Sequence, residues 1–136
     1  MTSRVELAPA LADAIRTAAE AASPRECCGL LEGVWDGGLA RVLALHPARN
    51  LAGETGRFEI APQDHIVARK AARATGHAII GCYHSHPGGH AEPSATDLAG
   101  AGEDNFLWLI AAGDVLNAFV YSRGRFTGAD WVTSSA

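Results

Sequence analysis

The sequence predicts an α/β fold in which a mixed β-sheet carries helices on both of its faces. Two helical segments each begin with a proline, Pro9 and Pro62, a residue favoured in the first turn of a helix. Short apolar runs bounded by glycine, proline or polar residues are typical of strands. The elements follow the order α-β-β-β-α-β-α-β-β-β, and this interleaving favours one sheet packed between helices.

The first half of the chain is predicted to contain a helix, a hairpin and one further strand. A short strand at residues 5–7 is compatible with the pattern. Ser23-Pro24 ends the first helix, and Asp36-Gly37-Gly38 is typical of a hairpin turn. We predict the helix at residues 9–22, the two hairpin strands at 27–35 and 39–46, the polar loop at 47–56 and the alternating strand at 57–60.

The second half is predicted to alternate helices with buried strands. A helix runs from Pro62 to about Thr75, and Gly76 ends it. We expect the four-residue tail 133–136 to fray and treat residues 1–136 as one domain. We then predict a strand at residues 78–83, a short helix at 96–102 and three further strands at 106–111, 115–121 and 125–131.

Composition and charge exclude several classes of protein. The chain has 136 residues, of which 48% are hydrophobic and 19% charged, as in ordinary compact domains. Its net charge of −4 argues against a sequence-independent nucleic-acid binder, which would be basic. No apolar run approaches a membrane span and no signal-peptide core is visible, so we expect a cytoplasmic protein. Cys27, Cys28 and Cys82 form no disulfide framework and are interpreted as small core residues.

The candidate functional residues follow the apolar strand 78–83. His84 and His86 are two positions apart, so at a strand end their side chains point to the same face. The loop after them is rich in glycine and proline and can fold back, which would bring Asp97 toward the two imidazoles. Two imidazoles and one carboxylate suit a divalent cation, zinc above all. Three protein ligands would leave a fourth position for water, as in catalytic zinc sites.

The same stretch allows alternative roles for several of its residues. Ser94 and Asp97 have the spacing of a capping box, with Asp in place of Glu or Gln, and could simply begin a helix. A histidine pair at a strand end could be a polar rim. Cys82 alternates with His84 and could share its face, although a thiolate ligand would close the site to water.

The stretch H-S-H-P-x5-P-S-x2-D resembles the signature of the JAMM (MPN+) metalloprotease family, H-x-H-x10-D with a serine three residues before the aspartate. A second block, residues 24–33, is similar to the family's glutamate followed by a short apolar strand with glycine. The resemblance covers nearly the whole chain and implies a curved sheet packed between helices, related to the cytidine-deaminase fold. Deaminase activity itself is disfavoured, because the P-C-x-x-C block that must follow H-x-E in a zinc deaminase is absent. The signature residues are His84, His86, Pro87, Pro93, Ser94 and Asp97.

The resemblance also implies a role for each site residue. His84, His86 and Asp97 would bind zinc, and Glu26 would be the general acid/base for the zinc-activated water. Without the resemblance Glu26 is one of several candidate carboxylates, and Glu92 in the motif loop is its rival. Ser94 would stabilise the oxyanion, or merely cap the helix. The remaining histidines are interpreted as exposed or structural: His46, His65, His77 and His90.

The activity implied is hydrolysis of a peptide or isopeptide bond after the C-terminal Gly-Gly of a ubiquitin-like protein. For short bacterial forms the implied partners are ubiquitin-fold sulfur-carrier proteins, and this chain resembles those forms. Its loop 48–57 stands where a substrate-flanking insertion would be, and it is short. Two alternatives are a peptidase for a non-ubiquitin peptide, of phage-tail or cell-wall type, and a non-catalytic, metal-stabilised binding module.

Overall fold

The computed structural model describes residues 3–133, which contain three helices and seven strands. The helices agree with the predicted ones to within two residues at each end. Their bounds are α1 (Pro9–Ala22), α2 (Pro62–Ala74) and α3 (Ala95–Gly100). The strands are β1 (Arg4–Leu7), β2 (Cys28–Asp36), β3 (Leu39–Ala48), β4 (Ala78–Ser85), β5 (Phe106–Ala112), β6 (Val115–Ser122) and β7 (Arg125–Thr133).

All seven strands belong to one mixed sheet that closes on itself in the order β1-β3-β2-β4-β5-β6-β7. The short β1 closes it, because this strand pairs in parallel with both β3 and β7. β4 and β5 are also parallel, whereas the remaining neighbours are antiparallel. The predicted mixed, curved sheet is confirmed, and its closure is an additional feature that the sequence did not indicate.

The helices lie on opposite faces of the sheet, as predicted. Ile15 of α1 packs into a core layer with Leu31 of β2, whereas Ala72 of α2 packs into a second layer with the adjacent Leu30. This division follows from the strand geometry, since successive side chains point to opposite faces. Within residues 3–133, none of the helices is long and apolar enough to cross a membrane.

Two predicted segments differ from the structure or fall outside it. The strand predicted at 57–60 is wrong, because this segment makes only an isolated bridge between Ile60 and Asn50. Its backbone is instead held partly by the side chain of Asn50, which bonds to Arg57 and Glu59. Thr133 is the last residue of β7, and the rest of the tail expected to fray, residues 134–136, lies outside the described residues.

β4 lies between β2 and β5 and carries the histidine motif at its end. Its register places His84 opposite Cys28 of β2. The neighbouring pair explains a glycine of the second sequence block: a Cβ on Gly29 would lie 2.3 Å from the ring of Tyr83. Gly29 therefore gives Tyr83 the space to pack across the two strands, and so supports the register that places His84.

Candidate metal centre

His84 and His86 extend from the C-terminal end of β4 and direct their Nε2 atoms to one point. These two nitrogens are 2.9 Å apart. His84 pairs with Ile110 in the ladder between β4 and β5, and the main-chain N–H of His86 donates to the carbonyl of Ala111 at 2.8 Å. The backbone at both histidines is thus held by pairing with the neighbouring strand β5.

Asp97 reaches the same point from the first turn of α3. Its Oδ2 lies 3.1 Å from Nε2 of His84 and 3.1 Å from Nε2 of His86. A capping box holds the carboxylate there: Ser94 N–H donates to Oδ2 at 2.9 Å, and Asp97 N–H donates to the Ser94 hydroxyl oxygen at 3.0 Å. Asp97 can therefore cap the helix and face the two histidines at the same time, because the cap orients its carboxylate toward them.

Three donor atoms at mutual distances of 2.9–3.1 Å fit around one small cation. Bonds of about 2.0–2.2 Å from nitrogen and oxygen to a tetrahedral metal ion separate its ligand atoms by about 3.3–3.6 Å, so the three donors need to move apart by only a few tenths of an ångström to hold one. The two imidazole nitrogens each have a lone pair when they carry no proton, so a proton or a cation must lie between them for such a close approach to be stable. The donor set therefore fits a divalent metal ion.

Contacts behind the two rings orient both of them and determine the tautomer of His86. Nδ1 of His86 donates to the carbonyl oxygen of His90 at 2.7 Å, which leaves Nε2 free as a donor of electrons toward the site. The ring of His84 stacks on Phe58, with centroids 4.3 Å apart, and meets Trp108 edge-on. Nδ1 of His84 is buried and has no hydrogen-bond partner among residues 3–133. His90 itself contributes a carbonyl and is otherwise exposed.

Glu26 lies beside this cluster, in the segment that leads into β2. A carboxylate oxygen of Glu26 and a ring nitrogen from each of His84 and His86 all lie within 4.8 Å of one another, so these three residues also form a group that could hold a metal ion. The Glu26 side chain is buried, and its Oε1 has no hydrogen-bond partner among the described residues. The rival carboxylate, Glu92, is exposed at the rim.

Burial and neighbouring charges shift the pKa values at the site in different directions. Burial raises the pKa of Glu26 to about 7, although His86 opposes the shift. Burial also lowers the pKa of His84 and favours its neutral form. Asp97 is buried too, yet hydrogen bonds from both histidines lower its pKa below the usual range. In the metal-free chain the site therefore combines an ionised Asp97 with a Glu26 that can exchange a proton near neutral pH.

The site opens into a cleft of about 750 Å³ formed by three segments. The motif loop and Ser94 line one side, Glu26 and the end of α1 line another, and Thr55 and Gly56 of the short loop 48–57 line the third. A neighbouring cavity of about 400 Å³ is largely apolar and is lined by Phe58, Trp108 and Asp97 among others. The loop 48–57, short as it is, therefore does flank the site.

Among the cysteines and the remaining histidines, the structure agrees with the sequence-based interpretation for Cys82 and adds partners for two histidines. Cys82 shares the α2 side of the sheet with His84, but it is buried in the apolar layer there, and all three cysteines are free. The sequence indicates no partners for His46 and His77, whereas both bond to the buried Glu32, at 2.8 and 2.7 Å. This second cluster lies outside the group of residues that could hold a metal ion.

The family of the chain follows from a comparison with known families. The model of prokaryotic homologues of the JAB domain matches residues 8–124. The chain belongs to this family. The JAMM (MPN+) resemblance of the sequence is thereby confirmed.

Two relatives of known name show what such domains do elsewhere. A desampylase from Haloferax volcanii is 33% identical over 135 residues, which are 96% of this chain and 89% of the relative. Together with the JAB family match, this relative identifies the chain as a hydrolase of the isopeptidase class and argues against a non-catalytic module. The tail tip assembly protein K of Escherichia phage N15 is 34% identical over 101 residues, 74% of this chain but only 37% of the relative.

Solved structures agree with the fold. A protein from Desulfitobacterium hafniense, solved in solution, superposes with a TM-score of 0.88 at 27% identity, and the match covers 97% of this chain and 94% of that one. A protein from Salinibacter ruber gives a TM-score of 0.72 at 36% identity, with 96% and 92% covered. The closed mixed sheet with helices on both faces is thus the fold of a prokaryotic JAB domain.

Proposed function

We propose that this protein is a zinc-dependent peptidase or isopeptidase that hydrolyses the amide bond after the C-terminal Gly-Gly of a ubiquitin-like protein of the sulfur-carrier type. The convergence of His84, His86 and Asp97 within 3.1 Å, beside a buried Glu26, is the observation that supports it most. The similarity to a desampylase supports the class of substrate.

Zinc is the metal that this donor set suits best. Two imidazoles with one carboxylate are typical of zinc sites with an open position, whereas calcium and magnesium prefer all-oxygen sites. His84, His86 and Asp97 would hold the ion, and when bound it would supply Lewis acidity, polarising the substrate carbonyl and making water acidic near neutral pH. The hydrogen bonds from His86 Nδ1 to the His90 carbonyl, and from Ser94 N–H to the Asp97 carboxylate, keep two of these ligands oriented toward the ion.

Glu26 is the group that moves the proton in this proposal. Its carboxylate accepts a proton from the attacking water as the new C–O bond forms, and returns it to the amine nitrogen as the C–N bond breaks. The chain ends the cycle in the protonation state in which it began. A carboxyl group whose pKa is raised to about 7 by burial is suited to both transfers near neutral pH.

Ser94 is proposed to donate a hydrogen bond to the oxyanion that develops on the carbonyl oxygen. Its hydroxyl oxygen accepts from Asp97 N–H within the cap, so the hydroxyl proton stays available for another acceptor. The residue is exposed at the cleft, next to the point where the three donors converge. Cap and oxyanion donor are therefore two uses of different atoms of the same hydroxyl group.

The shape of the cleft supports an extended glycine tail as the substrate. The site lies between the motif loop and the loop 48–57, so the scissile bond must reach it between two walls. Glycines have no side chain and allow a close approach of the substrate backbone to these walls. The adjacent apolar cavity gives room for a larger side chain elsewhere on the same tail.

A cleavage assay with matched fusions tests the proposal. A small ubiquitin-fold carrier is joined to a reporter through Gly-Gly-Xaa, and the same fusion with Ala-Ala-Xaa is the control. We expect cleavage of the first in the presence of zinc and little cleavage of the second. Equal cutting of both fusions would refute the carrier assignment and would leave the zinc hydrolase in place.

The second candidate is a peptidase for a phage-tail or cell-wall peptide. The similarity to the phage N15 protein favours it, although the chain spans only about a third of that relative. The same chemistry at the metal would serve both substrates, so the two candidates differ only in what the cleft accepts. Cleavage of such a peptide, with none of the Gly-Gly fusion, would replace the first candidate by this one.

A further inference from the structure

The side chain of Asn50 uses its full hydrogen-bonding capacity at the edge of the site. Its Nδ2 group donates to the carbonyl of Glu26 at 3.0 Å and to the carbonyl of Arg57 at 3.3 Å. Its Oδ1 accepts from the main-chain N–H of Ala52 and of Glu59, both at 2.9 Å. One amide group therefore joins the backbone at Glu26 to both arms of the loop that flanks the cleft.

The location of Glu26 explains why such a tie matters. The ladder between β2 and β3 ends at Cys28, so Glu26 lies just beyond the sheet and lacks its strand pairing. On one side Ser85 fixes the chain, since its hydroxyl accepts from Cys27 N–H at 2.9 Å. At the carbonyl of Glu26 itself, the bond comes from Asn50.

The carboxylate of Glu26 has little else to hold it. Its Oε1 is buried without a hydrogen-bond partner among residues 3–133, so its position is set mainly by packing and by the backbone to which it is attached. A shift of that backbone would displace the carboxylate from the histidines, which lie within 4.8 Å. The residue that fixes the carbonyl of Glu26 therefore also controls where its side chain lies.

We propose that Asn50 is a positioning residue for the hydrolysis: it fixes Glu26 against the metal ligands and couples it to the loop 51–59. The inference rests on the proposed role of Glu26 as the proton-transfer group. Thr55 and Gly56 of this loop line the same cleft as Glu26. The loop that would contact the substrate and the carboxylate that would act on it are therefore both held by Asn50. Arg25 also donates to the carbonyls of Asn50 and Ala52, which holds this part of the loop to the segment before β2.

Asn50→Asp is the decisive variant, because it separates the two sets of bonds. The carboxylate can still accept from Ala52 and Glu59, but it presents an oxygen in place of the donor to the carbonyls of Glu26 and Arg57. We expect kcat on the Gly-Gly fusion to fall on the order of ten- to a hundredfold, with a smaller change in KM. Asn50→Ala should lower kcat and also raise KM, since the loop is released as well.

Asp64→Ala is the matched control, because Asp64 of α2 holds Arg49, the loop residue next to Asn50. Asp64 accepts from the main-chain N–H of Arg49 at 2.8 Å and from its guanidinium at 3.1 and 3.2 Å, yet it does not bond to Glu26. This variant removes a tie of similar extent from the adjacent residue. We expect it to lower stability and to leave kcat within about twofold of the wild type, which separates positioning from general loosening of the loop.

Amide hydrogen exchange of the metal-free protein gives a readout that needs no substrate. We expect Asn50→Asp to increase exchange across residues 25–27, while exchange in β4 and β5 stays unchanged. Unchanged exchange across 25–27 would overturn the proposal. If the wild type cuts no Gly-Gly fusion, the proposed function fails. The hydrogen-exchange measurement would still decide whether Asn50 holds the backbone at Glu26.

A double-mutant cycle tests whether Asn50 acts through Glu26. In a Glu26→Gln background the base is already absent, so Asn50→Asp should cause little further loss of residual turnover. An equal fold-loss in both backgrounds would overturn the proposal. It would mean that Asn50 acts on the substrate or the loop alone.

Discussion

At the residue scale, the site depends on groups whose environment differs sharply over a few ångströms. Asp97 is kept ionised by two imidazoles, whereas Glu26 beside it has its pKa raised to about 7 by burial. Two carboxylates with opposite shifts can take different roles in one reaction, one as ligand and one as acid/base. This division of roles is the residue-scale basis of the proposed mechanism.

Replacement of Glu26 by Gln removes the acid/base and leaves the shape of the side chain nearly unchanged. We expect turnover of the Gly-Gly fusion to fall on the order of a hundred- to ten-thousandfold, the usual contribution of such a group. Zinc content and thermal stability should stay close to those of the wild type. Wild-type rates in this variant would move the role to Glu92 or to another group.

Replacement of Ser94 by Ala should cost less turnover than replacement of Glu26. One oxyanion donor contributes about 3–4 kcal/mol at most, and the metal would already polarise the same carbonyl. The helix cap is lost as well, at a cost of about 1 kcal/mol in stability. Steady-state kinetics and zinc analysis of the pure variant check this, and a loss of turnover larger than that of Glu26→Gln, at full zinc content, would contradict it.

The convergence of the histidine pair and Asp97 could be predicted from the sequence because their spacing is local to one strand, loop and helix. Asn50 could not, since its four partners are spread between residues 26 and 59 and no spacing marks them. Glu26 was singled out by resemblance, and only the fold shows that it lies beside His84 and His86.

At the element scale, one buried carboxylate joins strands and a helix end at the end of the sheet away from the site. Glu32 of β2 accepts from His46 of β3, from His77 before β4, and from the hydroxyl of Thr75 after α2. The two histidines are 14 and 45 positions from Glu32, so only the sheet register brings them together. Sequence spacing alone therefore indicates no partners for them.

The Glu32 cluster predicts a pH dependence of stability. Hydrogen bonds, above all from His77, lower the pKa of Glu32 from 4.5 to about 2. A lowered folded-state pKa stabilises the fold above the unfolded-state value, and this contribution is lost as pH falls from about 4.5 toward 2. The shift corresponds to about 3 kcal/mol at most.

Urea unfolding of the metal-free protein measures this effect. The free energy of unfolding should fall between pH 4.5 and 2 by more in the wild type than in Glu32→Gln, and the variant should be less stable at pH 7. The use of metal-free protein removes the separate effect of acid on metal binding. Parallel pH curves for the two proteins would contradict the role of Glu32.

The strand predicted at residues 57–60 shows where pattern reasoning fails at this scale. Alternation of polar and apolar residues is present, and Phe58 and Ile60 do pack into the α2 side of the core. A strand also needs a run of paired backbone, and here the pairing is limited to the single bridge between Ile60 and Asn50, where Leu51 N–H donates to the Glu59 carbonyl. The apolar positions were therefore correct, while the side chain of Asn50 bonds to Arg57 and Glu59 where a longer strand would have backbone partners.

At the scale of the whole molecule, the described strands form a closed sheet, and the site lies at one end of it. β1 joins β3 to β7, so within the described residues every strand has a neighbour on both sides. The order of helices and strands predicted the two layers, but four residues of β1 carry no pattern that predicts closure. His84, His86 and Asp97 gather at the end of β4, between the motif loop and the loop 48–57, because both loops leave the sheet at that end.

Zinc analysis of purified variants tests the account most directly. We expect one zinc per chain in the wild type and in His90→Ala, whose exposed side chain lies in the same loop and whose carbonyl still serves His86. The double variant His84→Ala, His86→Ala should lose the metal while its sheet stays folded, as circular dichroism would show. Near-stoichiometric zinc in this folded double variant would contradict the assignment of His84, His86 and Asp97 as the metal site.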